Sequence, residues 1–386
     1  MPPAGTLLIS GLGMVSTLGW DVTTACAAQR AGLVRRQPLD DFWCFDESEL
    51  DAPVIGAPIQ GLTDGFIQSG VWVRLALEAL EDMVRYGELP GPEDHAFWRS
   101  TALAWILPEM GFERFMWPGA EVPALLERSC TRLLADLSEL PLRMIPRGFF
   151  TAGPAGAASA LGRIHEVLAR EPLERVLLMG SDSWLDRLSM DVLIREGRLK
   201  TAEQPAGLCP GEAAACVLVE RAAPARRRGA RTEARILATA FRPAPGAMDE
   251  ESPGASRVRL APAMARNLVS AIIETLQAAD GKEPFRGDIL VDLNGEEWKA
   301  RVWGHAQALL QEHVDLAGVK TIVPCVSFGD IGAASGVAAL CIATRSFVRR
   351  YASTHQSLVC SISDNGETGA ILLTPYTTPD ARRDRV

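Results

Sequence analysis

The sequence offers few groups able to do covalent or acid–base chemistry. Its eight cysteines fall at positions 26, 44, 130, 209, 216, 325, 341 and 360, and its five histidines at 95, 165, 305, 313 and 355. No pair of cysteines forms C-x-x-C and the histidines are scattered, so the spacing provides no zinc framework and no metal is expected. The thiols read as reduced structural cysteines of a cytoplasmic protein. The stretch TAGPAGAASALG, residues 151–162, lies between the strand-like RMIPRGFF and the helix-like ALGRIHEVLAR. A strand turning sharply into a helix through small residues is the usual setting for a nucleophile, yet this one holds no thiol. Ser159 stands five residues beyond Pro154, about one turn into the helix, where a serine is a packing residue. Cys325 sits in the apolar run TIVPCVSF, which reads as a strand carrying a buried thiol. Asp182, Asn294 and Asp330 could form an acid–base set, but Asp330 precedes a Gly-Ala-Ala-Ser-Gly turn and is better placed as its cap. GLGMVS begins like a dinucleotide fingerprint, but Ser16 occupies the third glycine position, so no cofactor is expected.

The elements that must position these residues alternate. Apolar runs of strand length, RVLLMGSD (175–182), DILVDLNG (288–295) and TIVPCVSFG (321–329), are interleaved with helical patterns such as MARNLVSAIIETLQ. That alternation predicts an α/β protein with buried, mostly parallel sheets. The chain divides into two halves of one plan, 1–228 and 229–386, with helical insertions expected over about 40–130. At 386 residues it is long enough for two cores.

A net charge of −9 argues against a nucleic-acid partner, because that binding depends on Lys and Arg neutralising phosphates. The basic run Arg226–Arg228 reads as a helix-end cap. The longest apolar runs fall short of the ~18 residues a bilayer span requires, so no membrane partner is expected.

Seven segments, in order, resemble the β-ketoacyl synthase branch of the thiolase-like superfamily. ISGLGMVSTLGWDV resembles that family's first strand and glycine turn, FFTAGPAGAASALG its nucleophile elbow, and VLLMGSDS the strand that follows. PGEAAACVLVERAAPARRRGAR resembles the close of the first half, and VDLNGEEW the Asn-Ala-His-Gly-Thr segment. VSFGDIGAASG resembles the lysine and second-histidine segment, and SISDNGETGAILL the last glycine-rich hairpin. The resemblance implies a thiolase-like fold of duplicated α/β halves in α-β-α-β-α layers. In active members a cysteine takes the acyl group, two histidines stabilise the enolate, and a lysine supports the second. Carried over, the cysteine position falls on Pro154, or on Gly153 if one residue is inserted. The first histidine falls on Asn294, the lysine on Cys325, the second histidine on Asp330, and the gating phenylalanine near Asp364. Every catalytic position is thus expected to be degenerate.

The resemblance further implies a dimer joined near RMIPRGFF, as a homodimer or with a related thiolase-fold chain. The expected role is a non-catalytic structural or adaptor subunit, either a chain-length-factor-like partner of a ketosynthase or an adaptor for secretion-effector assembly. The protein partner would be a carrier protein or an effector. The rivals are an acyltransferase or thioesterase using Asp330 and Asn294, and an acyl or carrier-protein binding module.

Overall fold

The computed structural model describes residues 6–45, 51–110, 112–115, 122–246, 253–279 and 283–376. Its first half runs β1 (Leu7–Ser16), α1 (Val22–Arg30), β2 (Gln37–Phe45), β3 (Asp51–Gly56), α2 (Ser69–Tyr86), α3 (His95–Arg99) and β4 (Thr101–Ile106). It continues through α4 (Phe112–Phe115), α5 (Val122–Ser138), β5 (Met144–Phe150), α6 (Gly156–Arg170), β6 (Arg175–Ser183), α7 (Arg187–Arg195) and β7 (Glu212–Arg221). After α8 (Ala222–Arg227), the second half runs β8 (Ala234–Arg242), α9 (Pro253–Ala278), β9 (Asp288–Val291), α10 (Glu297–Leu309) and β10 (Lys320–Ile322). It closes with α11 (Cys325–Phe328), α12 (Ser335–Val348), β11 (Ser357–Ile362) and β12 (Thr368–Pro375).

Strand order establishes the duplication. The ten-stranded sheet reads β10-β9-β11-β12-β8-β1-β7-β6-β4-β5. Setting aside the separate β2–β3 hairpin, each half reads third, second, fourth, fifth, first strand from its outer edge to the middle. Directions repeat as well: β4 is parallel to β5 and β6, while β7 is antiparallel to β6 and β1. Likewise β9 is parallel to β10 and β11, while β12 is antiparallel to β11 and β8. The halves meet where β1 pairs antiparallel with β8, Leu8 opposite Arg235.

The layers follow from the two-residue period of strands. Along β7, Ala213, Ala215, Val217 and Val219 face one core with α6 and α12. The intervening Ala214, Cys216 and Leu218 face a second core with α2 and α5. Along β12, Ile371 and Leu373 join the first core, and Ala370 and Leu372 join a third with α9 and α10. Burial on both faces is why these strands read as unbroken apolar runs. The result is helices, sheet, helices, sheet, helices, with α6 and α12 in the middle.

That middle layer is thin because its helices are built from small residues. A Cβ on Gly336 of α12 would lie 2.6 Å from the Cβ of Ala157 in α6. Two sequence expectations need correction. Residues 40–130 are not only helical insertions: besides α2 to α5 they hold the β2–β3 hairpin and β4, which lies between β5 and β6 in the main sheet. TALAWI is short and alanine-rich, so nothing in it marks a strand until β6 supplies its partner. Cys325 is not in a strand either: β10 ends at Ile322, and Cys325 opens α11 behind Pro324.

Candidate functional site

Both middle helices begin in the same way. Gly153–Ala155 and Gly332–Ala334 form single 3₁₀ turns that lead into α6 and α12. Gly153 has φ +51 and Gly332 φ +48, the left-handed region that glycine enters without penalty. The residues before them, Ala152 and Ile331, share φ near −107. Each turn is held by a side chain from the opposite half. The Ser363 hydroxyl accepts from Ala155 N at 2.9 Å and donates to Ala152 O at 2.6 Å. Asp182 accepts from Ala333 N at 2.8 Å. Pro154 has no N–H to offer, so the first turn is anchored one residue later than the second.

The two turns face one cavity of about 1000 Å³, whose lining includes Gly153, Pro154, Asp330, Gly332, Asp182 and Asp364. The structure therefore brings the elbow and Asp330 together. Asn294 joins them indirectly: its Nδ2 donates to Asp330 Oδ2 at 2.7 Å and to Glu296 Oε2 at 2.7 Å, while its Oδ1 accepts from Glu296 N at 3.1 Å. Only this amide orientation satisfies all three contacts. Asp330 Oδ1 accepts from Gly332 N at 2.9 Å, so Asp330 caps the turn. Cys325 is buried, and burial pushes its thiol well above the ordinary value, first of several causes that include Asp330. It is no thiolate at neutral pH. Ser159 is not among the cavity residues, and neither is any of the five histidines.

What crosses the cavity is a set of ion pairs the sequence did not announce. Arg198 binds Glu296 through two bonds of 2.8 Å and Asp364 at 2.7 Å. Burial alone would raise Asp364, but Arg198, Arg257 and Lys299 outweigh it and hold the carboxyl well below the usual range. Arg114 grips Asp182 at 2.7 Å and stacks 3.8 Å over the Trp184 ring. Lys299, 1% exposed, reaches Asp292 at 3.2 Å. Burial works against its charge, yet Asp292, Asp330 and Asp364 reverse the effect and keep it protonated. Glu109 lies under the elbow, its Oε1 accepting from Asn365 N at 3.3 Å. Burial, then repulsion from Asp364, pushes it up to about 8, so it is largely neutral at pH 7. These partners come from distant segments, and Arg198 or Glu296 alone reads as an ordinary surface charge.

No protein-family model matches the chain, and no curated protein matches it in sequence. Solved structures do. A chain of the AntDE–AntF assembly, a type II polyketide synthase acyl-carrier protein in complex with its ketosynthase bound to the hexaketide, superposes with a TM-score of 0.74 at 14% identity, covering 97% of this chain and 100% of that one. The fold is that of the ketosynthases. The ishigamide ketosynthase/chain length factor gives a TM-score of 0.70 at 15% identity over 97% and 100% of the two chains. A β-ketoacyl synthase from Burkholderia phymatum STM815 gives 0.68 at 16% over 96% and 100%. At these identities the likeness concerns the backbone. Within that ketosynthase fold, the cavity lies where two helix N-termini converge, a polarity that suits an anion or a thiolate, but Asp182, Asp330, Asp364 and Glu296 are already engaged there by Arg114, Asn294 and Arg198, while Glu109 accepts from Asn365 N.

Proposed function

We propose that this chain is a non-catalytic ketosynthase-fold protein that serves as a structural or adaptor subunit, paired with its own copy or with a related thiolase-fold chain. The observation that carries this reading is the elbow. At the N-terminus of α6, where a thiolate would be stabilised, the chain has Gly153 and Pro154, and neither can attack an acyl group. The proposed counterparts of the imidazoles and lysine, Asn294, Asp330 and Cys325, are respectively an amide, a turn cap and a neutral buried thiol, and none supplies a cationic donor to an enolate. An acyltransferase or thioesterase built on Asp330 and Asn294 is disfavoured for the same reason: both side chains are spent on each other and on the turn.

What remains to work with is surface. β5 ends the sheet with half-buried Phe149 and Phe150, and α5 beside it exposes Leu125, Leu133 and Leu137. An apolar sheet end of this kind is an association surface or an aggregation hazard. Among the neighbours, a ketosynthase complexed with an acyl-carrier protein and a ketosynthase/chain length factor offer precedents for a protein partner. Among the described residues no helix is long and apolar enough to cross a membrane.

Incubation with an acyl-carrier thioester followed by intact mass measurement tests the first part, with no adduct expected. A stable acyl adduct on any residue between 150 and 160 would refute it. Light scattering tests the second: a dimer at micromolar concentration is expected, or insolubility relieved by co-expressing a related chain. A well-folded monomer would refute it.

A further inference from the structure

A second pocket lies outside the elbow cavity, between the β2–β3 hairpin and the segment Leu199–Glu203. It measures about 460 Å³, within the range of about 300–1,000 Å³ common for small-ligand sites. Its walls are Val54, Ile55 and Leu199, with the thiols of Cys44 and Cys209 beside them. They continue inward into a small core of their own that includes Leu39, Met190 and Leu208. The pocket shares no lining residue with the elbow cavity, and Cys209 in its lining and the nearby Gly211 are bonded through the backbone to Asp330: Asp330 N donates to Cys209 O at 2.7 Å, and Gly211 N to Asp330 O at 2.9 Å.

Two exposed cations, Arg36 and Lys200, also line the pocket. Buried cations elsewhere in the fold, such as Arg114, Arg175, Arg198 and Lys299, each face a carboxylate. These two do not. Arg36 donates to the carbonyl of Val326 at 3.0 Å, and Lys200 makes only backbone bonds among the described residues. Burial raises the Cys209 thiol; Arg36 and Lys200 pull it down and Asp330, on the elbow side, pushes it up, so both cations act at the pocket wall. Glu203, the one carboxylate in the described lining, already has a partner. An apolar wall open to water beside two positive charges that meet no carboxylate among the described residues, on a chain of net charge −9, is complementary to an anionic amphiphile.

We propose that this pocket binds a medium-chain fatty carboxylate, its alkyl tail against Val54, Ile55 and Leu199 and its head between Arg36 and Lys200. The site is independent of the elbow, and its occupancy does not depend on whether the elbow is catalytic.

Cys44 reports on it directly. It is half-buried, whereas the other seven thiols are buried, so iodoacetamide at about pH 8.5, near the ordinary thiol pKa, should alkylate Cys44 first. Dodecanoate should slow that alkylation saturably, by at least tenfold, in the intact protein as read by peptide mass spectrometry. Decanoate should protect more weakly, by about three- to fourfold per methylene lost, and dodecyltrimethylammonium should not protect. Protection is scored against each variant's own alkylation rate without ligand, because charge reversal in the lining that holds Cys44 shifts that rate; on that scale Lys200→Glu, and the double variant Arg36→Glu/Lys200→Glu, should weaken protection by dodecanoate at least tenfold. Calorimetric titration of dodecanoate into wild type and both variants should give the same order. The proposal is overturned if dodecanoate does not slow alkylation below its micelle-forming concentration, if the cationic amphiphile protects equally, or if the charge-reversed variants bind as wild type does.

Discussion

Replacing Lys299 with Met should destabilise the protein more than any other single removal of charge in the cavity, and more at alkaline than at acidic pH. Lys299 enters from the first turn of α10, where the helix dipole disfavours a cation, and it is 1% exposed. Its charge persists only because Asp292 lies 3.2 Å away, with Asp330 and Asp364 beyond. Asp292 is equally dependent. Burial pushes its carboxyl up, Lys299 pulls it back, and its oxygens also accept from Ile362 N at 3.0 and 3.1 Å. Removing one member of such a pair costs about 3–5 kcal/mol, a large part of the ~5–15 kcal/mol that holds a typical protein folded. For units the size of each half, that corresponds to a fall in Tm of about 6–20 °C. Without Lys299 the folded pKa of Asp292 rises further above its unfolded value. Stability from a group raised in this way is present below the unfolded pKa and lost as pH rises through the folded one. The deficit should therefore be smaller at pH 5.5 than at pH 8, and Lys299→Met/Asp292→Asn should recover much of it, since Asn can still accept from Ile362 N. Thermal melts of the three proteins at both pH values decide the matter. A single variant within 2 °C of wild type, or an equal loss at both pH values with no rescue, would show that the pair does not hold the site together.

Gly332→Ala should cost about 2–5 kcal/mol, because alanine is strained at φ +48 and its Cβ would fall 1.9 Å from Asp182 Oδ2, displacing that buried carboxylate from Ala333 N. Gly162→Ala, in α6 with nothing within 4 Å of the new Cβ, should instead stabilise by about 0.5–1 kcal/mol, and urea unfolding of the two reads both signs. Glu109, with a folded pKa of about 8, should make the wild type lose stability as pH rises from 5 through 8. Glu109→Gln should flatten that slope and melt higher than wild type by pH 8.5, whereas parallel curves would mean that Glu109 is ionised throughout. Pro154→Cys should not restore malonyl-dependent condensation in a radiolabelled assay, because one thiolate lacks the groups that stabilise the enolate; measurable product would make Asn294 and Asp330 competent replacements.

How much of this was legible in the sequence depended on how local each signal was. The strands β6, β7, β11 and β12 were visible because burial on both faces writes itself as an unbroken apolar run, and the elbow was visible because small residues at 151–162 interrupt such a pattern. Asp330 as a turn cap was also a local inference, and the bond to Gly332 N is the contact expected. β4 is hidden in the sequence because TALAWI lacks the β-branched density that marks a strand, and it becomes one through pairing, with Leu103 beside Leu177 and Met144. The apolar run continues past Pro324 and makes Cys325 read as strand, although that proline starts a helical turn instead.

The charge network was illegible for a deeper reason. Arg198, Glu296 and Asp364 come from three separate segments, REGRLK, NGEEW and SDN, none of which carries a pattern that marks a buried ion pair. What demands their meeting is a balance that exists only in the folded cavity. On the proposed correspondence, an aspartate at 330 and an asparagine at 294 put polar atoms where imidazoles would sit, and buried polar atoms must be satisfied. Asn294 satisfies Asp330 and in doing so draws in Glu296. Glu296, buried, requires Arg198, and Arg198, with three N–H donors to spare after two bonds to Glu296, takes Asp364. Each partner answers the desolvation cost created by the one before it, and the chain of bonds ends against the last hairpin. Asp330, Asn294, Glu296, Arg198 and Asp364 are thus each engaged by another member of the network, and that engagement is what supports the proposal of a ketosynthase fold kept for its surfaces.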